Sequence, residues 1–216
     1  MGKVYRMARK TRQEALVTRS QILDAAEKVF HDKGVSHTSL NDIACAAGLT
    51  RGAIYWHFEN KVDLFNQMHE RVHLPIEALS KQTASDDEPD PLGRLRDLLV
   101  LILRETVHNP RQRQVLEILF HKCEFICEMG ELVERQEAVH MEAFARTEQS
   151  LRNAIARGQL PADLDAGKAS ITIHSYIRGL LSTWLLLPDS FDLAAEAENL
   201  IDACLSMLVH ATSLRS

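Results

Sequence analysis

Residues 38–61 read TSLNDIACAAGLTRGAIYWHFENK, and two short helices with a tight turn between them are written into that stretch. Ser39-Leu40-Asn41-Asp42 has the form of a capping box, with a hydroxyl and a carboxylate three residues apart to satisfy the free amides of a helix start. Leu40, Ile43, Ala44 and Ala47 follow at i, i+3, i+4 and i+7, which places them on one helix face. Gly48 can adopt the left-handed conformation that ends a helix, and Thr50 can cap a new one two residues later. Two short helices joined by a glycine-containing turn form a helix-turn-helix, whose DNA-binding version lays its second helix in the major groove.

The second helix, Arg51 to Phe58, carries side chains suited to that task. Ile54 and Phe58 are i, i+4 and can pack inward against Leu40 and Ile43, while Tyr55, Gly52 and Trp56 turn the other way. Gly52 and Ala53 are too small to hold a phosphate backbone off, and Thr50 sits at the approaching end. Arg51 is the long bidentate donor, the group suited to guanine O6 and N7. Tyr55, His57 and Lys61 offer donors to phosphate, which set register rather than sequence. The competing reading is a helical hairpin in a bundle core, with Tyr55 and Trp56 as packing residues.

The chain of 216 residues has 45% hydrophobic content, enough for a small domain plus a medium one and too much for a disordered chain. No apolar run approaches the roughly 18 residues of a membrane span. The N-terminal MGKVYRMARKTRQEA is basic without an apolar segment behind it, so it is not a secretory signal, and Met7 is a second candidate start. Cys45, Cys123, Cys127 and Cys204 show no disulfide-framework spacing, which fits a cytoplasmic protein. The formal charge of −5 is unevenly divided. Residues 1–61 hold ten Lys and Arg against six Asp and Glu, a net of +4, and residues 62–216 hold the remaining −9. A basic head on an acidic body concentrates attraction to phosphate at one end. The reading divides the chain into a DNA-binding domain, residues 1–61, and a regulatory domain, residues 62–216.

Along the chain, a first helix is expected from about Arg12 to Lys33, with Ile22, Leu23, Ala26, Val29 and Phe30 buried and Gly34 as its stop. The basic arm before it (Arg6, Arg9, Lys10, Arg12) reads as loose without DNA. Asn60 can cap a fourth helix, bent at Pro75, which links head and body. Ser80–Pro91 is polar, acidic and proline-punctuated, a surface loop. A fifth helix through Leu95, Leu98, Leu99 and Ile102 ends at Asn109-Pro110. A sixth spans about Arg111–Phe125, a seventh Glu131–Arg157, an eighth Ala166–Leu187, and Asp192 can cap a ninth. No segment alternates at strand period, so the expected class is all-α with about nine helices. The eighth carries apolar side chains on more than one face and needs a partner surface.

This stretch closely resembles the DNA-binding segment of TetR-type repressors, most nearly the AcrR and TtgR branch that controls multidrug efflux pumps. The likeness extends from Met7-Ala8-Arg9-Lys10-Thr11 through Glu117–Phe125 and Gly158-Gln159-Leu160-Pro161 to Trp184–Ser190. The resemblance implies a homodimer through the last two helices, a repressor of a pump operon, and an inducer that is hydrophobic or cationic. A two-fold dimer sets its recognition helices about one DNA turn apart, roughly 34–36 Å, and so reads a pseudo-palindromic double-stranded operator. Carried over by position, a pocket between the body helices would be lined by Val72, His73, Ile76, Leu99, Ile102, Leu116, Glu117, Phe120, Ala143, Thr147, Ile173, His174, Ile177 and Arg178. The chain departs from its branch at Leu116 and Phe120, where TtgR-type proteins have polar groups. It departs again at Arg178 and at His73, each standing where some members have an acid.

No glycine-rich phosphate loop or nucleophile elbow is present, so the body reads as regulatory rather than enzymatic, with no cofactor or membrane partner. Two alternatives stay open at this point. Glu70-x-x-His73 and Glu137-x-x-His140, with Glu117 and Glu124, imitate the ligand set of a di-metal bundle. His69 and His73 also stand at i, i+4, and Cys123 and Cys127 could sense oxidants if either thiol ionised readily.

Overall fold

A computed structural model describes residues 2–123 and 130–215, with the side chains of residues 2–11, 130–133 and 136 left aside. Nine α-helices make up the described chain: α1 (Gly2–Lys33), α2 (Leu40–Ala47), α3 (Arg51–Tyr55), α4 (Lys61–Thr83), α5 (Pro91–His108), α6 (Pro110–Glu117), α7 (Gly130–Ala156), α8 (Ala166–Leu186) and α9 (Leu193–His210). The one β-type pairing among the described residues is an isolated bridge between Leu164 and Arg215, so the expected all-α class holds. No described helix is long and apolar enough to cross a membrane. The chain divides into two compact units, Met1–Arg71 with Glu117–Leu132, and Val72–Leu116 with Val133–Ser216.

In the first unit Ile22, Leu23, Ala26, Val29 and Phe30 of α1 are buried, as their spacing predicts, together with Leu40, Ile43, Ala44, Ile54, Phe58, Leu64, Phe65 and Met68. Phe30 and Phe65 meet edge to face at 5.8 Å, a geometry that pairs a ring edge with a ring quadrupole. α1 begins at Gly2 rather than near Arg12, because residues 3–33 hold no proline or glycine to interrupt it. The basic arm is therefore a helical extension, not a loose lead. Gly34 ends α1 at φ +82°, and the next amide, Val35, donates to the Lys122 carbonyl at 3.0 Å.

Two further boundaries depart from expectation. α6 ends at Glu117 and gives way to a π-helical turn, Ile118–Lys122, before Cys123 goes extended. Val115 and Ile118 are buried, whereas Leu116, Leu119 and Phe120 are only half-buried. The expected continuation over Glu124 and Phe125 lies outside the described residues. α4 runs through Pro75 and on to Thr83, four residues into the expected loop. Its last turn is held there because Thr83 is buried and its hydroxyl donates to the Ser80 carbonyl at 2.8 Å, beside Ser150.

In the second unit α5 packs against α9 and α8, burying Leu95, Leu99, Leu103, Ile173, Ile177, Leu181, Trp184, Ile201, Cys204 and Leu208. Arg96 grips Asp202 with two nitrogens and Arg104 donates to Glu198 at 2.7 Å, fixing the register of α5 on α9. Most of the α8 stripe is thus covered within the chain, whereas Ile171, Leu186 and Leu187 stay exposed, as do Met207 and Val209 of α9.

Gly48 supplies a local test. It sits at φ +67° with open space where a Cβ would project, so backbone strain is the whole penalty for a side chain. Gly48→Ala is expected to cost about 1–2 kcal/mol, the price of left-handed backbone in an L-residue, measured as a fall in unfolding free energy. An unchanged stability would mean that the turn relaxes out of this conformation.

Candidate nucleic-acid interface

The turn between α2 and α3 is built by caps. Ser39 Oγ accepts from the Asp42 amide at 3.1 Å and the Asp42 carboxylate accepts from the Ser39 amide at 2.9 Å, the reciprocal box expected from the sequence. Lys33 reaches the same carboxylate at 2.6 Å and, with Ser39, holds the Asp42 acid far below the usual carboxylate range. A depressed acid adds stability above its unfolded pKa and loses it on acidification, so the box weakens as pH falls through the carboxylate range. Gly48 donates to the Cys45 carbonyl, and Thr50 Oγ1 accepts from the Ala53 amide at 3.3 Å to start α3.

α3 itself is one short helix, shorter than the predicted span to Phe58, but the turn continues as His57 and Phe58 both donate to the Ile54 carbonyl. Its two sides separate as expected. Ile54 and Phe58 are buried, whereas Thr50, Arg51 and Gly52 are exposed, Tyr55 is 48% exposed and Trp56 74% exposed. Ala53 and His57 are half-buried between the sides. Arg51 Nη2 donates to Tyr55 Oη at 2.9 Å with its guanidinium 5.4 Å above the same ring, so the long side chain is held at one place on the open face. Burial, and then the nearby Arg19 charge, lower the His57 pKa and favour the neutral ring.

Lys61 is placed differently from the expectation of a free phosphate donor. Its ammonium donates to the carbonyls of Val35 at 2.9 Å and Ser36 at 3.3 Å, tying the start of α4 to the α1–α2 connection. An ammonium has three donors, so one remains beyond those two. Sequence reasoning missed this anchor, and it missed Arg19, whose guanidinium lies 5.5 Å over the Phe58 ring. Both are tertiary contacts with no signature in local spacing.

The residues nominated for a ligand pocket divide between the two units. In the second unit Val72, Leu99, Thr147, Ile173 and Ile177 are buried, His73, Ile76, Ile102, Leu116, Ala143 and His174 half-buried, and Arg178 exposed. Thr147 Oγ1 and His174 Nε2 are 3.0 Å apart, and Phe144 meets the His174 ring edge to face at 4.4 Å. Burial lowers the His174 pKa to about 4 and depresses that of His73, so both rings are neutral polar groups near neutrality. Arg178 lies 3.3 Å from His140 Nε2. Arg146, which the sequence reading did not single out, adds a half-buried guanidinium near Glu77 and Glu142. Glu117 and Phe120 fall in the first unit, where Glu117 meets His31 Nε2 at 3.0 Å.

The metal and redox alternatives find no support in this geometry. Among the described residues no three or more His, Cys, Asp and Glu stand close enough together to hold a metal ion; Glu117 meets His31 instead, and Glu124 lies outside the described residues. Burial pushes the Cys123 thiol up to about 11, against the thiolate that oxidation requires, and Cys127 lies outside the described residues.

Comparison with known proteins gives this geometry a family. Residues 22–68 match the bacterial regulatory proteins of the tetR family, and residues 90–210 match the C-terminal region of MAATS-type transcriptional repressors. The chain is 44% identical over 209 residues to the HTH-type transcriptional regulator TtgR of Pseudomonas putida, covering 97% of this chain and 100% of that one. It is similar to NalD, the secondary repressor of the MexAB-OprM multidrug efflux pump in Pseudomonas aeruginosa, at 39% identity and TM-score 0.76, over 90% and 97% of the two chains. It is also similar to SmeT, the repressor of the Stenotrophomonas maltophilia multidrug efflux pump SmeDEF. With SmeT bound to triclosan the match is 34% identity and TM-score 0.82, over 91% and 93% of the two chains. With its helix-turn-helix and its C-terminal bundle both accounted for by these matches, the chain belongs to the tetR family of bacterial regulatory proteins.

Proposed function

We propose that this regulator is a repressor of a multidrug efflux operon, released from its operator when a bulky apolar or cationic compound enters the second unit. The observation that carries the reading is the split of the Thr50–Phe58 segment, with Ile54 and Phe58 buried and Arg51, Tyr55 and Trp56 held open to a groove. In this reading Thr50, Arg51, Gly52, Ala53, Tyr55, Trp56, His57 and the third donor of Lys61 contact operator DNA. The efflux assignment is supported by the similarity to NalD and SmeT, each a pump repressor. Exposed Ile171, Leu186, Leu187, Met207 and Val209 on and just beyond α8 and on α9 support a homodimer through those helices. Compound binding is supported by a second unit in which Val72, Ile173 and Ile177 stand with the neutral polar groups His73, Thr147 and His174. α4 carries residues of both units and is the element through which such a ligand acts. A ligand favours release only by binding the released form of the dimer more tightly, as linkage demands.

Footprinting of DNA selected by the full-length protein, with and without triclosan, tests the reading. The expected result is protection of a pseudo-palindrome whose half-sites lie about one helical turn apart, lost as compound is added. A compound that binds stoichiometrically yet leaves operator affinity unchanged would overturn the release mechanism.

A further inference from the structure

Several arginines among the described residues are compensated by acids: Arg71 by Asp24 and Glu27, Arg96 by Asp202, Arg104 by Glu198, Arg215 by Asp163. Two in the first unit are different. Arg51 lies over the Tyr55 ring and Arg19 over the Phe58 ring, and Arg19 forms no ion pair among the described residues. A ring face holds a guanidinium by its quadrupole without cancelling its charge. Both are thus fixed in place and left electrostatically open, one at the start of the recognition segment and one at its end.

Arg19 reaches that end from the middle of α1, so it is fixed by a second helix rather than by the recognition segment alone. His57 borders the same Phe58 ring, centroid to centroid at 6.3 Å, and it is half-buried and meets the exposed Trp56 ring edge to face at 4.8 Å. Arg19 of α1 is the charged group that acts on His57, and the rings of Trp56 and Phe58 lie against its imidazole. Two cation-capable donors that border one ring, Arg19 without an acid partner among the described residues, have the chemistry of an anion grip. The anion that duplex DNA presents to them in number is the backbone phosphodiester.

We propose that Arg19 and His57 together grip a DNA backbone phosphate at the trailing end of the recognition segment. The inference rests on the DNA-binding reading above and adds a contact from α1 that this reading does not contain. Its consequence is a proton taken from solvent. In the free protein burial, and then the Arg19 charge, favour neutral imidazole, and a phosphate bound by both groups favours imidazolium. Binding that raises a histidine pKa strengthens as pH falls through the histidine range, so operator affinity increases from about pH 8 toward about pH 6.

Fluorescence anisotropy with the full-length protein tests this on two labelled duplexes, one selected from a random-sequence library and one scrambled. Arg19→Gln is expected to weaken both duplexes alike and to reduce the slope of log affinity against log salt by about one. Arg19→Lys keeps the charge and restores most of that slope, and His57→Gln flattens the pH response at fixed salt. Circular dichroism melts establish that each variant is folded. A folded Arg19→Gln protein with the wild-type salt slope overturns the proposal. So does a His57→Gln protein with the wild-type pH response, a test that stands even if Arg19→Gln does not fold. Failure of the wild-type protein to select any duplex would instead sink the DNA-binding reading itself.

Discussion

Arg71→Ala is expected to lower the unfolding free energy by about 3–5 kcal/mol, because it removes the guanidinium that meets a carboxylate buried inside the first unit. Glu27 is 4% exposed, and its charge is met there by Arg71 Nη1 at 2.8 Å. The second nitrogen of the same guanidinium reaches Asp24 at 2.8 Å and Ser20 Oγ at 3.4 Å. The fork is geometrically suited to bridging α1 and α4, and a lysine offers one charge centre in its place. Desolvating two ions costs more than it returns in many proteins, so the intact pair itself contributes little net stability. Its removal is costly because one ion stays behind. Three consequences separate this from general loss of packing. Arg71→Lys should lose less than Arg71→Ala. Adding Glu27→Gln to Arg71→Ala should recover part of the loss, since a neutral amide is easier to bury. The denaturant m-value should stay unchanged. Chemical denaturation followed by circular dichroism measures all three, and a loss below about 1 kcal/mol for Arg71→Ala would mean that Glu27 relaxes into solvent or protonates without consequence.

This ion pair also marks the limit of what the chain's pattern reveals. The α2–turn–α3 segment was legible because its determinants are local: a hydroxyl and an acid three residues apart, apolar residues at helical spacing, a glycine where the backbone turns left-handed. The inward Ile54 and Phe58 and the outward Arg51 and Tyr55 followed from i, i+4 geometry alone. Glu27 and Arg71 are 44 residues apart, and nothing near either announces the other. Lys61 read as a phosphate donor from its position after the recognition segment, yet two backbone carbonyls some 25 residues earlier claim most of its ammonium. The π-helical turn at Ile118–Lys122, which replaces the expected regular helix there, has no composition signature. In the second unit the apolar members of the nominated pocket look the same in sequence whether they line a cavity or fill a core. Their polar companions carried more information: the Thr147–His174 contact gathers two of them at hydrogen-bond distance.

The second large effect concerns sequence reading. Arg51→Ala is expected to weaken binding to the selected operator by about 1–3 kcal/mol, with a much smaller loss on scrambled DNA. Arg51 is the side chain on the open face of α3 with both the reach and the planar double donor to engage a guanine edge. Its clamp on Tyr55, one hydrogen bond and one ring contact, reduces the rotamer freedom that would otherwise be lost on binding. Arg51→Lys should not restore specificity, since a single ammonium cannot make the paired contact. Tyr55→Phe removes the hydroxyl that accepts from Nη2 and keeps the ring, so it should reduce affinity less than Arg51→Ala while shifting preference in the same direction. The contrast with Arg19 makes the assignment testable. A phosphate contact lowers affinity on every duplex, whereas a base contact lowers the ratio between operator and scrambled DNA. Equal losses on both duplexes for Arg51→Ala would place Arg51 on the backbone and leave base reading to other groups of the same segment, with Tyr55 and Trp56 the remaining large side chains on its exposed side.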